Sequence, residues 1–457
     1  MSFKLFQAYI LLTFFRPVEL FMPELGELRP MLWLWLLAVI TSVVAAAAKK
    51  ETGARPIHFK LIFGLWALIG VSKLLSPWAG GTMEAISDFS TSSMLFLLAA
   101  LNLTTLERLK STMNAVVLAM LLNCVFGIQA YHTGENMDKL VLRQTAPAHD
   151  NDDPATMPDL KTVIPALDKS GWFLWRLKSV GFLADPNDFA QVLVMTLPML
   201  WGAGWRPDRR LNNLVRVIAP GALMVYAIFL TQSRGALLGL ASLLFFGVRK
   251  ALGTTRTVLL LGSMVAVQLL GNMSGGREFS GKEKSAEERI ESWGIGLDLL
   301  KRNPLFGAGY GNYLEYNYLT AHNSFVLCFA ELGLVGYFLW IGMIVLTFKS
   351  LSAAVETLPP RSPHRQMVVL LRNSLVGFLV CAWFLSRTYQ PVLYFLLALC
   401  VSAWWCASRA PGMTDKESPK YEKIHTIPWV RSTFIIMFLT IVAIRGFVFS
   451  HQLGRGG

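Results

Sequence analysis

Uncharged apolar runs alternate along the chain with short polar connectors, and many of the runs approach the roughly 20 residues an α-helix needs to cross a bilayer. The pattern predicts about thirteen spans, at 4–22, 31–48, 58–76, 86–103, 112–131, 183–204, 213–231, 235–248, 256–272, 323–348, 370–386, 389–407 and 433–450. Apolar-polar alternation over about ten positions, the mark of a membrane β-barrel, is absent. The expected fold is therefore all-α, a polytopic helical bundle of about 12–13 transmembrane helices. The first run lacks a small-residue cleavage site and continues into "FFRPVELF", so it is expected to be an anchor rather than a cleaved leader.

Basic residues orient this bundle. Lys49, Lys50 and Arg55; Arg108 and Lys110; Arg206, Arg209, Arg210 and Arg216; Arg249, Lys250 and Arg256; Arg361, Arg365 and Arg372; and Lys416, Lys420 and Lys423 fall in every second connector. By the positive-inside rule all of these can be cytoplasmic together. The expected organisation is N-terminal spans in 1–131, an outer loop at 132–182, central spans in 183–272, an outer loop at 273–322, further spans in 323–407, and a cytoplasmic linker with a last span in 408–457.

Composition agrees. The 457-residue chain is 54% hydrophobic and only 16% charged, more apolar than a soluble core requires. Its net charge of +13 could suggest nucleic acid in a soluble protein, but the cations sit in the connectors as topology signals, so no nucleic-acid partner is expected. The five cysteines lie in apolar stretches without ligand spacing and read as small core residues. In "HDNDDPATMPD", Asp150, Asp152 and Asp153 mimic an acidic metal-binding signature, yet no second ligand cluster accompanies them. Neither a metal nor a cofactor is expected.

Candidate chemistry gathers at the outer ends of the spans. In the second outer loop Ser285 and Glu288 fit a capping box, Ile290, Trp293, Leu297 and Leu300 repeat at helical spacing, Lys301 and Arg302 suit a helix C-terminus, and Asn303-Pro304 stops it. This predicts an amphipathic helix near the membrane surface, with Arg289 on the border of its apolar stripe. "GAGYGNY" follows and reads as a flexible turn, since no strand precedes it to make a nucleotide fingerprint. Arg234, in "FLTQSRGALLGL", opens an unusually short apolar run with Ser233 as a plausible N-cap. A helix N-terminus disfavours a cation but attracts an anion, so an arginine there makes most sense beside a bound anion. His322 begins the next span, with Asn323 or Ser324 as N-cap, and the same dipole is expected to keep its imidazole neutral and able to accept a proton.

Singly, each has a plainer reading: Arg289 a snorkelling surface side chain, Arg234 a headgroup anchor, His322 a boundary histidine like His132 and His451. Together, two guanidinium groups suited to bidentate phosphate binding and a neutral base on one face fit a diphosphate-activated lipid whose sugar passes to an acceptor hydroxyl. Such a transfer needs no metal. Glu331 lies about two and a half turns after His322 and is expected to be an interhelical hydrogen-bond partner.

The segments "FRPVEL", "LRP", "DPNDFA" (185–190), "TQSRGALL" (231–238), "ERIESW" (288–293), "NPLFGAGYGNY" (303–313) and "AHNSFVLCFAELGLVGY" (321–337) resemble, in content and order, the O-antigen ligase and polymerase superfamily of bacterial envelope glycosyltransferases. The resemblance implies transfer of a glycan from undecaprenyl diphosphate to lipid A core or a similar acceptor, without a metal, at the periplasmic face of the inner membrane. It implies that Arg234 and Arg289 hold the diphosphate and that His322 is the base. Asp185 and Asp188 would support the site or cap the following helix, and Asn323 would support it from the N-cap. A polymerase extending the glycan on its carrier remains the close alternative. A lipid or anion transporter is the distant one, which inverted repeats or helices broken near mid-membrane would favour; the sequence shows neither.

Overall fold

The computed structural model describes residues 1–49, 56–145, 163–205, 208–253, 255 and 284–455. The predicted span at 256–272 and the aspartates of "HDNDDP" lie outside them, as do the Ser285 side chain, Lys50, Arg55, Arg206 and Arg256. Among the described residues nine helices are long and apolar enough to cross a membrane: Pro30–Ala48, Ile57–Leu74, Ala79–Asn102, Leu106–Thr133, Arg210–Leu230, Ser324–Thr357, Pro363–Ala382, Pro391–Ser408 and Val430–Leu453. The protein is an all-α polytopic membrane protein.

The elements used below are α1 (Ser2–Phe14), α2 (Pro30–Lys49), α3 (Pro56–Leu74), α4 (Thr82–Asn102), α5 (Leu106–Thr133), β1 (Val141–Thr145), β2 (Phe173–Leu177), α6 (Pro186–Gly204), α7 (Ala219–Leu230), α8 (Arg234–Leu252), α9 (Lys284–Arg302), α10 (Ser324–Thr357), α11 (Pro363–Ala382), α12 (Pro391–Ser408) and α13 (Val430–Arg455). Several predicted ends move, each for a local reason. The run at 4–22 is not one helix: α1 stops at Phe14, because Pro17 lacks an amide donor and biases Arg16 away from helical backbone. The span expected at 370–386 begins at Pro363, so Arg365 belongs to its first turn and Arg372 to its middle rather than to a connector, and it ends at Ala382. α8 has a short apolar part, Arg234–Gly247, as expected. The loop at 132–182 carries an antiparallel β1–β2 pair with Val141 opposite Leu177 and Thr145 opposite Phe173.

Two units can be distinguished, each discontinuous in sequence. The first comprises Met1–Thr41, Lys110–Phe279 and Val376–Cys381. Here α6 packs against α7 and α8, and β2 lies on α7. Small residues permit this: a side chain on Gly239 would meet the Cys381 sulfur, and one on Gly377 would meet Val194 and Leu243. The Gln191 amide donates to the Phe378 carbonyl at 3.0 Å, and Asn123 on α5 donates to the Phe14 carbonyl at 2.8 Å, tying α1 beside α5.

The second unit comprises Ser42–Leu109, Ser280–Leu375 and Ala382–Gly457. Its centre is α10, which packs against α3, α9, α12 and α13, with α4 laid on α3 and α12. The fully buried rings of Phe329, Tyr337 and Trp340 fill this centre.

α10 is interrupted at Gly333 (φ 64°, ψ −167°), so the chain contains a broken helix. The apolar run "ELGLVGY" continues through the break, so hydropathy carries no trace of it. The segment after α9 repairs it: the amides of Ala308 and Gly309 donate to the carbonyls of Ala330 (2.9 Å) and Glu331 (3.0 Å), while the amides of Leu334 and Val335 donate to those of Pro304 (2.7 Å) and Leu305 (3.3 Å). Buried backbone groups must find partners, and here a neighbouring loop replaces the missing helical ladder.

Candidate functional site

In the first unit the site residue is Arg234, and its position follows from the turn before it. Thr231 is fully buried, its hydroxyl donates to the Ile228 carbonyl at 2.6 Å, and that hydroxyl accepts from the Ser233 amide at 3.3 Å. Between them Gln232 is left-handed (φ 54°), which a non-glycine residue adopts only at a cost of about 1–3 kcal/mol. The chain reverses there and restarts as α8 at Arg234. The Leu237 amide donates to the Ser233 carbonyl at 3.2 Å, which puts Ser233 at the N-cap and Arg234 in the first turn, half-exposed.

This turn is held from outside by a residue the sequence reading passed over. Arg176 on β2 is only 5% exposed; its Nε donates to the Thr231 carbonyl at 3.0 Å and its Nη2 to Asn187 Oδ1 at 2.9 Å. Asn187 stands in the first turn of α6, whose N-cap is Asp185: its carboxylate accepts from the amides of Asn187 (2.7 Å) and Asp188 (3.3 Å). Asp185 is thus a capping residue, one of its two expected roles, and Asp188 is buried in the turn it caps.

In the second unit His322 occupies a similar kink. It is left-handed (φ 47°) and half-exposed, immediately before α10. Asn323 is the N-cap, its Oδ1 accepting from the amides of Phe325 (2.8 Å) and Val326 (3.1 Å). Two flanking elements hold the turn. On one side the Trp293 indole N–H donates to the Ala321 carbonyl at 3.0 Å. On the other the Ser324 hydroxyl donates to the Leu385 carbonyl (2.5 Å) and accepts from the Arg387 amide (2.9 Å), while Thr388 donates to the Ser324 carbonyl (2.7 Å).

Trp293 is buried against Trp383 and Phe447, and Leu297 and Leu300 are buried along the same stripe of α9. Arg289 precedes Trp293 by four residues, hence by one turn on the same face. The structure therefore places Arg289 one helical turn from the residue that anchors the His322 turn.

Glu331 bridges from α10 to the end of "GAGYGNY". Its Oε1 accepts from the Tyr313 amide at 3.2 Å, at the first residue of the four-residue helix Tyr313–Tyr316. Tyr313 in turn donates its hydroxyl to the Ser292 carbonyl on α9, and Asn317 donates to the Ser292 hydroxyl at 2.9 Å. Burial first, and then the Glu331 carboxylate, raise the Tyr313 phenol well above its ordinary pKa, so it remains a neutral donor. "GAGYGNY" is accordingly an ordered strap rather than a flexible turn. Gly307 is left-handed (φ 72°), and a side chain there would overlap the backbone of Glu331.

Both turns fall within one recognisable segment. Residues 219–341 match the O-antigen ligase family. The match supports the O-antigen ligase superfamily for this chain and an O-antigen ligase/polymerase-type membrane protein. No curated protein matches the chain. The ligase-family segment contains Arg234, Arg289 and His322 together with the strap and the interrupted helix. Asp185, Asp188 and Arg176 precede it.

The structure brings Arg289, His322 and Asn323 into one unit and places Arg234, Asp185 and Asp188 in the other. Two residues that hold these turns were missed by the sequence reading: Arg176, beside the Arg234 turn, and, through its backbone amide, Arg387, beside the His322 turn. Arg176 is the lone cation in the apolar run "WFLWRL" of a polar loop, a signal that was available; Arg387, in a short connector, carried none. Among the described residues no group of three His, Cys, Asp or Glu side chains is placed to hold a metal ion.

Proposed function

We propose that this protein transfers a preassembled glycan from undecaprenyl diphosphate to the hydroxyl of lipid A core or a similar acceptor, at the periplasmic face of the inner membrane and without a metal. His322 removes the proton of the acceptor hydroxyl as its oxygen bonds to the anomeric carbon of the donor. The bond from that carbon to the phosphate oxygen breaks, its electron pair leaves with the diphosphate, and the proton stays on the imidazole. Arg234 and Arg289 hold the diphosphate and balance the charge that grows on it. What most supports this reading is that all three residues fall in the stretch matching the O-antigen ligase family, two of them at left-handed turns that open helices.

Purified protein with donor and acceptor lipids in detergent and chelator should form product, and His322→Ala should abolish it while leaving the fold intact. Full activity of that variant would remove the base. Arg234→Lys and Arg289→Lys should both be impaired by about tenfold or more, because an ammonium cannot reproduce the guanidinium fork. Donor lipid without a second acceptor separates two chemistries: no extension indicates a ligase, a ladder of repeats a polymerase.

Among the described residues the break in α10 is the feature that favours a transporter. Against it, the strap already occupies the carbonyls of Ala330 and Glu331, which an ion would need. Chemical turnover in detergent, without a gradient, would rule out transport as the primary activity.

A further inference from the structure

Asn323 does two things with one side chain. Its oxygen is committed: two backbone N–H groups, of Phe325 and Val326, point at it, which fixes Oδ1 on that side of the amide and Nδ2 on the other. The residue is 0% exposed, yet Nδ2 donates to no acceptor among the described residues. A buried donor left unmade is uncommon in a native protein and costs free energy that a ligand oxygen recovers. This one stands at the N-terminus of the first part of α10, ahead of its break at Gly333, where the dipole favours negative charge, and directly after the strained, half-exposed His322.

We propose that Asn323 is a substrate-contacting residue, its Nδ2 donating to an anionic phosphate oxygen of the lipid donor while its Oδ1 caps α10. This rests on the diphosphate-donor reading and adds to it a neutral, directional donor beside the base. The amide identifies the oxygen to be an acceptor, and the helix end selects a charged one over a hydroxyl. The same chemistry could come from a phospholipid headgroup, so the two sources must be separated.

Cap-preserving substitutions isolate the proposed contact. Asp and Ser cap helices about as well as Asn, so Asn323→Asp and Asn323→Ser keep Oδ1 or its equivalent but lose the amide donor. Both variants should melt within about 2 °C of the wild type. Binding of undecaprenyl diphosphate in micelles should weaken about tenfold in Asn323→Ser, as expected for one lost bond to a charged group, and further in Asn323→Asp, whose carboxylate repels phosphate. Phosphatidylglycerol, offered in parallel, should bind all three proteins equally. Undiminished diphosphate binding in the stably folded Asp variant would overturn the proposal, as would a loss confined to phosphatidylglycerol. If the Asp and Ser variants transfer normally while His322→Ala is dead, this inference fails and the base survives; if His322→Ala is active, or the wild type binds no diphosphate, the underlying reading fails with it.

Discussion

His322 stands with φ at 47°, a backbone state that costs a non-glycine residue about 1–3 kcal/mol. Replacing it by glycine removes that cost. His322→Gly should therefore raise the denaturation midpoint slightly while eliminating transfer, an opposition that a purely structural histidine would not produce. Arg176 should behave in the other sense. It is buried and bonded to both the Thr231 carbonyl and Asn187, so Arg176→Met leaves two acceptors without their donor and should destabilise by about 2 kcal/mol, read by thermal melting in detergent. At this scale the candidate residues themselves were legible, because a histidine or arginine at the mouth of an apolar run stands out. Their supports were not. Arg176 lies 55 positions from Thr231, and Glu331 lies 18 from Tyr313, separations at which nothing in a single sequence links two residues.

Glycine substitutions should rank by what surrounds each one. Gly333 is left-handed and a side chain there would overlap the backbone of Leu305, so Gly333→Ala should prevent recovery of folded protein. Gly311 is equally left-handed (φ 73°) but has open space around it, so Gly311→Ala should cost only about 1 kcal/mol. Size-exclusion profiles of the two variants, measured side by side, check the ranking; equal behaviour would mean that the strap does not close on α10 as described. Helix positions were largely visible in the hydropathy pattern. The failures have local causes: Arg16-Pro17 divides the first run, and the charged residues of "SPHRQMVVLLRN" concealed the start of α11 inside what read as a connector.

For the molecule as a whole, orientation is the expectation with the widest consequences. The five native cysteines are all buried, so single introduced cysteines can be read cleanly. Glu135→Cys and Ser170→Cys, on exposed positions of the 132–182 loop, should react with an impermeant thiol reagent in intact cells; Asp208→Cys and Arg361→Cys should react only after permeabilisation. The reverse pattern would put His322 and both arginines on the cytoplasmic side and end the proposal of a periplasmic transfer.

Surface loops ordinarily absorb extra residues without harm, and insertion mapping of this protein should find such tolerance near Gly134–Asn136. The stretch from Pro304 to Gly309 should refuse them. Its amides and carbonyls serve as the missing rungs of a membrane helix, so lengthening it by even one residue shifts the register of four hydrogen bonds at once and unseats the span that begins beside His322.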